Sequence, residues 1–557
     1  MNRRTFLQAA APLVLFPERA LWAASPDRVT HLLRGALLVD GTGAPPREAD
    51  VALAGGRIAG VGPDLRVGRV PTTDLRGLAL APGFVDIHSH TDLSLLVNPR
   101  AESKVRQGVT TEVTGQDGGS VGPWTDEASE ETRREYRERY GVDLPFRDLG
   151  GFFRWLDTHG AAVNVASMVG QGTVRGAVVG QVDRPATEDE VRRMKDEVRR
   201  ALAAGACGLS SGLEYTPGAF GSTAELVELA TVLAGTGLPY ASHMRNEDDR
   251  LFAAVEEAIH VGRLAGVPVE ISHLKAQGER NWWKADTALR AVEQARAAGV
   301  DVAFDVYPYV AYSTGLANLF PVSARDGGTD VFVARLRDAG ERAALEGAVR
   351  AKVAQLGSWD AVQVTSTAND SLAWARGRKL GELAAERGGD PYELLVRLIV
   401  EDRNQAGMVG FGMSEENVER KLAHPLAVVC SDGGAWAPYG PLSTGVPHPR
   451  TYGTFPRVLG RYVRERKILP LETAVHKMTA LPASRVGLRD RGVVAPGARA
   501  DLVAFDPDAI ADRATFERPH QYPAGIPHVW VNGVAVIRDG EHTDARPGRS
   551  ARPGPAG

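Results

Sequence analysis

Two histidines lie two residues apart in the segment GFVDIHSHTD (83–92), His88 and His90, after an apolar run and before a polar turn. Side chains alternate along a strand, so this spacing predicts both imidazoles on one face together with Asp86, with Val85 and Ile87 turned to the outside of the sheet. His243 ends a second apolar run (YASHMRNE), His273 a third (VEISHLK) and Asp432 a fourth (LAVVCSDGG). An isolated His-x-His is more often a surface pair than a site. Four apolar strands ending in His, His, His and Asp are a different matter, because together they form a donor set for metal-assisted hydrolysis.

Such ligands need strands that deliver them to one place. Between residues 83 and 432 the chain alternates apolar strands with amphipathic helices, the pattern of parallel βα units. The strands are GFVDIHSH, GVTTEVTG, AAVNVASMVG, ACGLSSG, LPYASHM, PVEISHL, VDVAFDVYP and PLAVVCSD. Eight is the count of a (β/α)8 TIM barrel, and all the candidate ligands fall at strand C-termini, the catalytic face of that fold. Helices are expected over 187–204 and 248–265. The segment of about 317–422, between strands 7 and 8, is too long for a loop and reads as an insertion beside the site. Short β-rich runs at both chain ends, 28–82 and 485–543, predict a small β-sandwich domain flanking a barrel of 83–484, and the Arg/Pro/Gly-rich 544–557 reads as a disordered tail.

The chain has 557 residues, 43% hydrophobic and 24% charged, with a net charge of -4, values that accommodate a barrel plus a companion domain. Without a long single-sign run, neither nucleic acid nor an anionic membrane surface is indicated as a partner. Two cysteines, Cys207 and Cys430, exclude a disulfide framework and read as buried packing residues. The opening MNRRTFLQAAAPLVLFPERALWAAS, with Arg3 and Arg4 before a modest apolar stretch and small residues at Ala23 to Ser25, resembles a twin-arginine export signal over 1–25. That stretch is shorter than the ~20 residues a membrane span needs. A periplasmic or secreted protein without a membrane anchor is therefore expected.

GFVDIHSHTD, GVTTEVTGQDGGSVGP, SHMRNE, ISHLK, DVYPYVAYST and SDGGAW followed by GVPHPRTYGTFPRVLGRY resemble the D-aminoacylase (N-acyl-D-amino-acid deacylase) branch of the amidohydrolase superfamily over nearly the whole chain after the export signal. The resemblance implies one or two Zn2+ ions, with His88 and His90 at one metal and His243 and His273 at the other. Where that branch has a cysteine at the metals, this chain has Asp117, and a carboxylate can bridge two ions although it is harder than a thiolate. Loop capping is the competing use of an Asp beside glycine. Other amidohydrolases bridge with a carboxylated lysine from a middle strand, but no lysine occurs between Lys104 and Lys195. The resemblance further implies that Asp432 contacts the metal and acts as general base, that Arg450 clamps the substrate carboxylate, and that Lys275, Tyr307 and Ser313 line the pocket.

The expected substrate is a small N-acyl-D-amino acid. Hydrolysis of a cyclic amide or a dipeptide is the nearest rival, and Arg450 argues against a cyclic substrate, which has no free carboxylate to clamp. A non-catalytic binding protein on the same barrel would be expected to have lost metal ligands. A sugar hydrolase would need paired carboxylates where the strand ends carry imidazoles.

Overall fold

The computed structural model describes residues 21–25 and 28–554. Most of the expected export signal, residues 1–20, lies outside the described residues. Eight short strands form the barrel: β1 (Phe84–Asp86), β2 (Val109–Thr114), β3 (Asn164–Ser167, resuming at Val169–Gly170), β4 (Leu209–Gly212), β5 (Tyr240–His243), β6 (Val269–Ile271), β7 (Val302–Val306) and β8 (Ala427–Val429). Each pairs in parallel with the next. The ring closes at the catalytic end through a single parallel bridge, Ser89 to Gly433, and the Asp432 N–H donating to the His88 carbonyl at 2.8 Å. These strands are buried on both faces, which is why they read as near-continuous apolar runs.

The outer helices begin and end where local chemistry dictates. Glu188–Ala204 opens on a reciprocal capping box between Thr187 and Glu190 and stops at Gly205, whose φ of 108° is open to glycine. Leu251–Ala265 presents Leu251, Val255, Ala258 and Gly262 to the barrel; a Cβ on Gly262 would lie 2.0 Å from Val269 of β6.

Three expectations change. The pleat of β1 puts Val85 and Ile87, not Asp86, inside: both join an apolar cluster with Val113, Ala166, Ala241 and Val428 from four other strands, while Asp86 turns toward Lys104. The strand ends at Asp86, and His88 reaches the site through a bend, so strand periodicity does not carry it there. The insertion runs from 311 to 411 rather than about 317–422. It opens with the strand Ala311–Gly315, which pairs with Gly407–Phe411 in a three-stranded antiparallel sheet, whereas helix Glu415–Ala423 packs on β8 as a barrel helix. Finally, the tail expected to be disordered is docked as far as residue 554. Gly548 and Ser550 bridge to Ala161 and Val165, and Arg552 pairs with Asp157 at 3.0 Å. Its composition offers little apolar surface, but hydrogen bonds and charge pairs to the barrel base hold it, and at Gly548 a Cβ would meet the Val163 carbonyl at 2.0 Å.

The β-rich chain ends form one continuous ten-stranded sheet that joins the N-terminal strands to Leu502–Phe505 and His528–Val531. It folds over so that Leu33, Val51, Leu80 and Trp530 share one core.

Candidate metal centre

His88 and His90 follow β1, Asp117 sits in the turn after β2, His243 is the last residue of β5, His273 lies two residues past β6 and Asp432 three past β8. Asp117, His273 and Asp432 have φ of 53°, 34° and 50°. Non-glycine residues rarely enter this left-handed region, and such strain concentrates at functional sites where the surroundings over-determine it. Gly212 on β4 makes room for the Asp117 turn, since a Cβ there would stand 2.0 Å from the Asp117 carbonyl.

Asp117 occupies the middle. Its Oδ1 is 3.3 Å from His88 Nε2 and 3.5 Å from His273 Nε2, and its Oδ2 is 3.5 Å from His90 Nε2 and 3.6 Å from His243 Nδ1. Each oxygen thus faces one histidine from each pair, so the carboxylate stands between the two pairs. Asp432 Oδ1 lies 3.0 Å from His90 Nε2, and its Oδ2 accepts from Arg450 Nη1 at 2.8 Å. His243 Nδ1 and His273 Nε2 face each other at 3.0 Å. The donors fall into two groups sharing Asp117: His88, His90, Asp117 and Asp432; and Asp117, His243 and His273.

A divalent ion fits this set. His88 Nε2 and Asp117 Oδ1 are buried, point into the centre and have no hydrogen-bond partner, although buried polar atoms are nearly always paired. Imidazole and carboxylate are zinc donors. Electrostatics agree. Burial alone would raise the Asp117 carboxyl, but His88, His273 and His243 hold it well below the usual carboxylate range. Burial disfavours charge on the imidazoles too, yet Asp117 and Asp432 push His90 up to about 9, and Glu247 and Asp117 push His243 up to about 10. A pocket that favours positive charge on its histidines favours a cation between them.

Behind the donors stand residues the sequence reading missed. Asp305 Oδ2 is 3.4 Å from His88 Nδ1, Glu247 Oε1 is 3.0 Å from His273 Nδ1, and Glu214 Oε2 is 3.6 Å from His243 Nε2. A carboxylate on the far ring nitrogen fixes the tautomer and orientation of a ligating histidine.

A cleft of about 800 Å³ opens onto His90, Asp117 and Asp432, walled by Trp124, Tyr215 and Pro217, with Arg450 and Ser313 in its lining. Arg450, in the first turn of helix Arg450–Arg457, is buried and stacks its guanidinium 4.9 Å from the Tyr307 ring centre. Lys275 and Tyr307 line a smaller chamber beneath, of about 20 Å³, which shares Ser313 and Asp432 with the cleft. There the Lys275 ammonium donates to Glu247 Oε1 at 2.6 Å, the same oxygen that lies 3.0 Å from His273 Nδ1, so it orders the carboxylate behind a histidine as well as facing the chamber. The Ser313 hydroxyl donates to the Met408 carbonyl.

Residues 72–537 match the model of the amidohydrolase family. The chain is 38% identical over 534 residues to D-aminoacylase of Alcaligenes xylosoxydans xylosoxydans, covering 93% of this chain and 96% of that one. It is also 38% identical to the N-acyl-D-aspartate deacylase of the same organism, covering 97% and 98%. Among solved structures it resembles N-acyl-D-glutamate deacylase of Bordetella bronchiseptica, complexed with zinc and a phosphonate mimic of the tetrahedral intermediate, at 36% identity and a TM-score of 0.79 over 94% of this chain and all of that one. A D-aminoacylase studied for one-metal activation and second-metal attenuation of its binuclear centre matches at 38% identity and the same TM-score, coverage being again 94% and 100%.

Proposed function

Because this chain belongs to the amidohydrolase family, we propose that it hydrolyses N-acyl-D-amino acids to a carboxylate and a free D-amino acid, using zinc held by His88, His90, Asp117, His243, His273 and Asp432. The observation that carries the reading is Asp117 within 3.3–3.6 Å of all four histidines, beside an Asp432 paired with a buried arginine. The three deacylase relatives supply the substrate class.

Bound zinc polarises an acyl carbonyl and lowers the pKa of a water to about 7, so that a nucleophile is present at neutral pH. The residues of the chain do the rest. Asp432 accepts the proton of the attacking water and returns it to the leaving nitrogen, a transfer for which its two oxygens, one toward His90 and one toward Arg450, lie at the floor of the cleft. Arg450 receives the free carboxylate of the substrate, because a planar guanidinium matches a carboxylate with two parallel hydrogen bonds. Ser313 lines the same floor, with Lys275 and Tyr307 below it. The arginine pair at Arg3–Arg4 supports export to the periplasm or beyond, and no helix among the described residues is long and apolar enough to cross a membrane.

The test is amine release from matched N-acetyl-D- and N-acetyl-L-amino acids by zinc-loaded and chelated protein. Chelator-sensitive turnover confined to the D series is expected. Turnover that survives complete zinc removal would refute the metal reading, and equal rates on both series would refute the substrate class.

A further inference from the structure

The barrel is closed between its first and last strands by one bridge only, and the residues of that seam carry half of the metal centre. A buried lysine fills the place where a strand ladder would be. Lys104, from the short helix Glu102–Val105, is 0% exposed. Its Nζ donates to Asp86 Oδ2 at 2.8 Å, to Ser431 Oγ at 2.8 Å and to the Gly433 carbonyl at 2.7 Å, and lies 3.3 Å from Ser89 Oγ and 3.1 Å from Glu112 Oε1.

The placement of these partners is what matters. Ser89 separates His88 from His90, while Ser431 and Gly433 stand on either side of Asp432, the residue held at φ 50°. Asp86 ties the two sides together again, accepting from the Ser431 N–H at 2.8 Å. An ammonium offers three donors and no acceptor, so it can gather carbonyl, hydroxyl and carboxylate oxygens from different chain segments at one point without being part of any of them. None of its partners lies on β5 or β6, which carry His243 and His273.

We propose that Lys104 is a positioning residue that sets His88 and His90 against Asp432 across the barrel seam, and that it governs metal binding in this half of the centre but not in the His243–His273 half. It lines neither the cleft nor the smaller chamber. The inference rests on the metal reading above.

The experiment is a cobalt and zinc titration of the full-length protein, carried to millimolar metal and read by equilibrium dialysis and by the visible spectrum of bound cobalt, on the wild type and on Lys104→Met. Outer partners of metal ligands are worth about 10–100-fold in affinity. Lys104→Met is therefore expected to weaken one binding step by that factor and leave the other at its wild-type value. A general loss of packing would lower thermal stability without singling out one step. If Lys104→Met does not fold, by circular dichroism and gel filtration, Ser431→Ala takes its place. It changes no charge and removes one of the three Lys104 bonds together with the hydroxyl's own bonds to Asp86 Oδ2 and the Gly433 N–H, all within the same seam, and a selective weakening of several-fold is expected. A folded variant with both steps unchanged, or with both weakened equally, overturns the proposal. A wild type that takes up no metal overturns the metal reading, and this inference with it.

Discussion

Arg450 sits at the point where substrate recognition and proton transfer meet, and its replacement by glutamine separates the two. Arg450 is 4% exposed and Asp432 5% exposed, so their 2.8 Å pair is desolvated on both sides. Removing one member of a buried, hydrogen-bonded charge pair costs about 2–5 kcal/mol. Applied to the pairing of Arg450 with a substrate carboxylate, at about 1.36 kcal/mol per decade, this corresponds to a loss of roughly 10^1.5 to 10^3.7 in kcat/KM. A second effect comes through Asp432. Burial raises its carboxyl, but Arg450 first and His88 next hold it well below the usual range, so that in the wild type it is ionised across the working pH. Arg450→Gln removes the largest influence holding the carboxyl down, leaving the histidines, and the carboxyl rises. A step that needs ionised Asp432 then declines as pH falls through the raised value, and an acid limb appears or moves to higher pH. The assay is kcat/KM from pH 5 to 9 for an N-acetyl-D-amino acid and for an N-acetyl amine of the same size that has no carboxylate. At pH values above the acid limb the loss is expected for the acid alone. Below it, both substrates lose rate. An equal fractional loss for both substrates at every pH would refute the clamp and leave Arg450 only as the partner of Asp432.

Asp432→Asn, measured on zinc-saturated protein, is expected to lower kcat by about 10²–10⁴, the worth of a general base, and near-normal turnover would remove that role. Asp117→Ala is expected to weaken both binding steps because each group of donors includes Asp117, whereas Asp117→Cys should restore binding and favour zinc over manganese, thiolate being the softer donor; metal analysis after competition between the two ions decides. Lys421, whose ammonium is pushed down to about 7 by burial and by Lys275, gives a stability prediction. The unfolded chain binds the extra proton between about pH 7 and 10, so wild-type stability should rise with pH through that window. Lys421→Met relieves a penalty of about 4 kcal/mol at pH 7 but strips the Leu274 carbonyl of its donor at a cost of about 1–3, for a net gain of roughly 1–3 kcal/mol. Thermal unfolding from pH 7 to 10 should give a higher and flatter Tm profile, and a lower Tm at pH 7 would contradict it.

What could be seen in the sequence and what could not follows from where each group sits on its strand. A parallel strand covered on both faces is largely apolar, so eight such runs were visible, and a ligand stands out among the first polar residues at the C-terminal end of a run. His243 and Asp432 are of this kind. The orienting residues are not at the ends. Asp305 lies inside VAFDV, where it is the single interruption of the apolar pattern, and Glu112 inside VTTEVT, where it is the one charged residue among valines and threonines. Nevertheless that interruption is a signal. A carboxylate in a doubly covered strand cannot be solvated, so it must be paired, and its partner must be either a cation or a donor at the end of a neighbouring strand. Asp305 meets the second condition through His88 and the His273 N–H, and Glu112 and Asp86 meet both through Lys104 and the serines of the seam. Asp86 carries the same signal but alternation assigns it to the wrong face, because the strand ends at Asp86 and a bend, not the two-residue period, brings His88 to the site. The alternation rule places side chains only while the ladder is regular. At the seam of a barrel it is not, and there the buried charges themselves are the better guide to which chain segments meet.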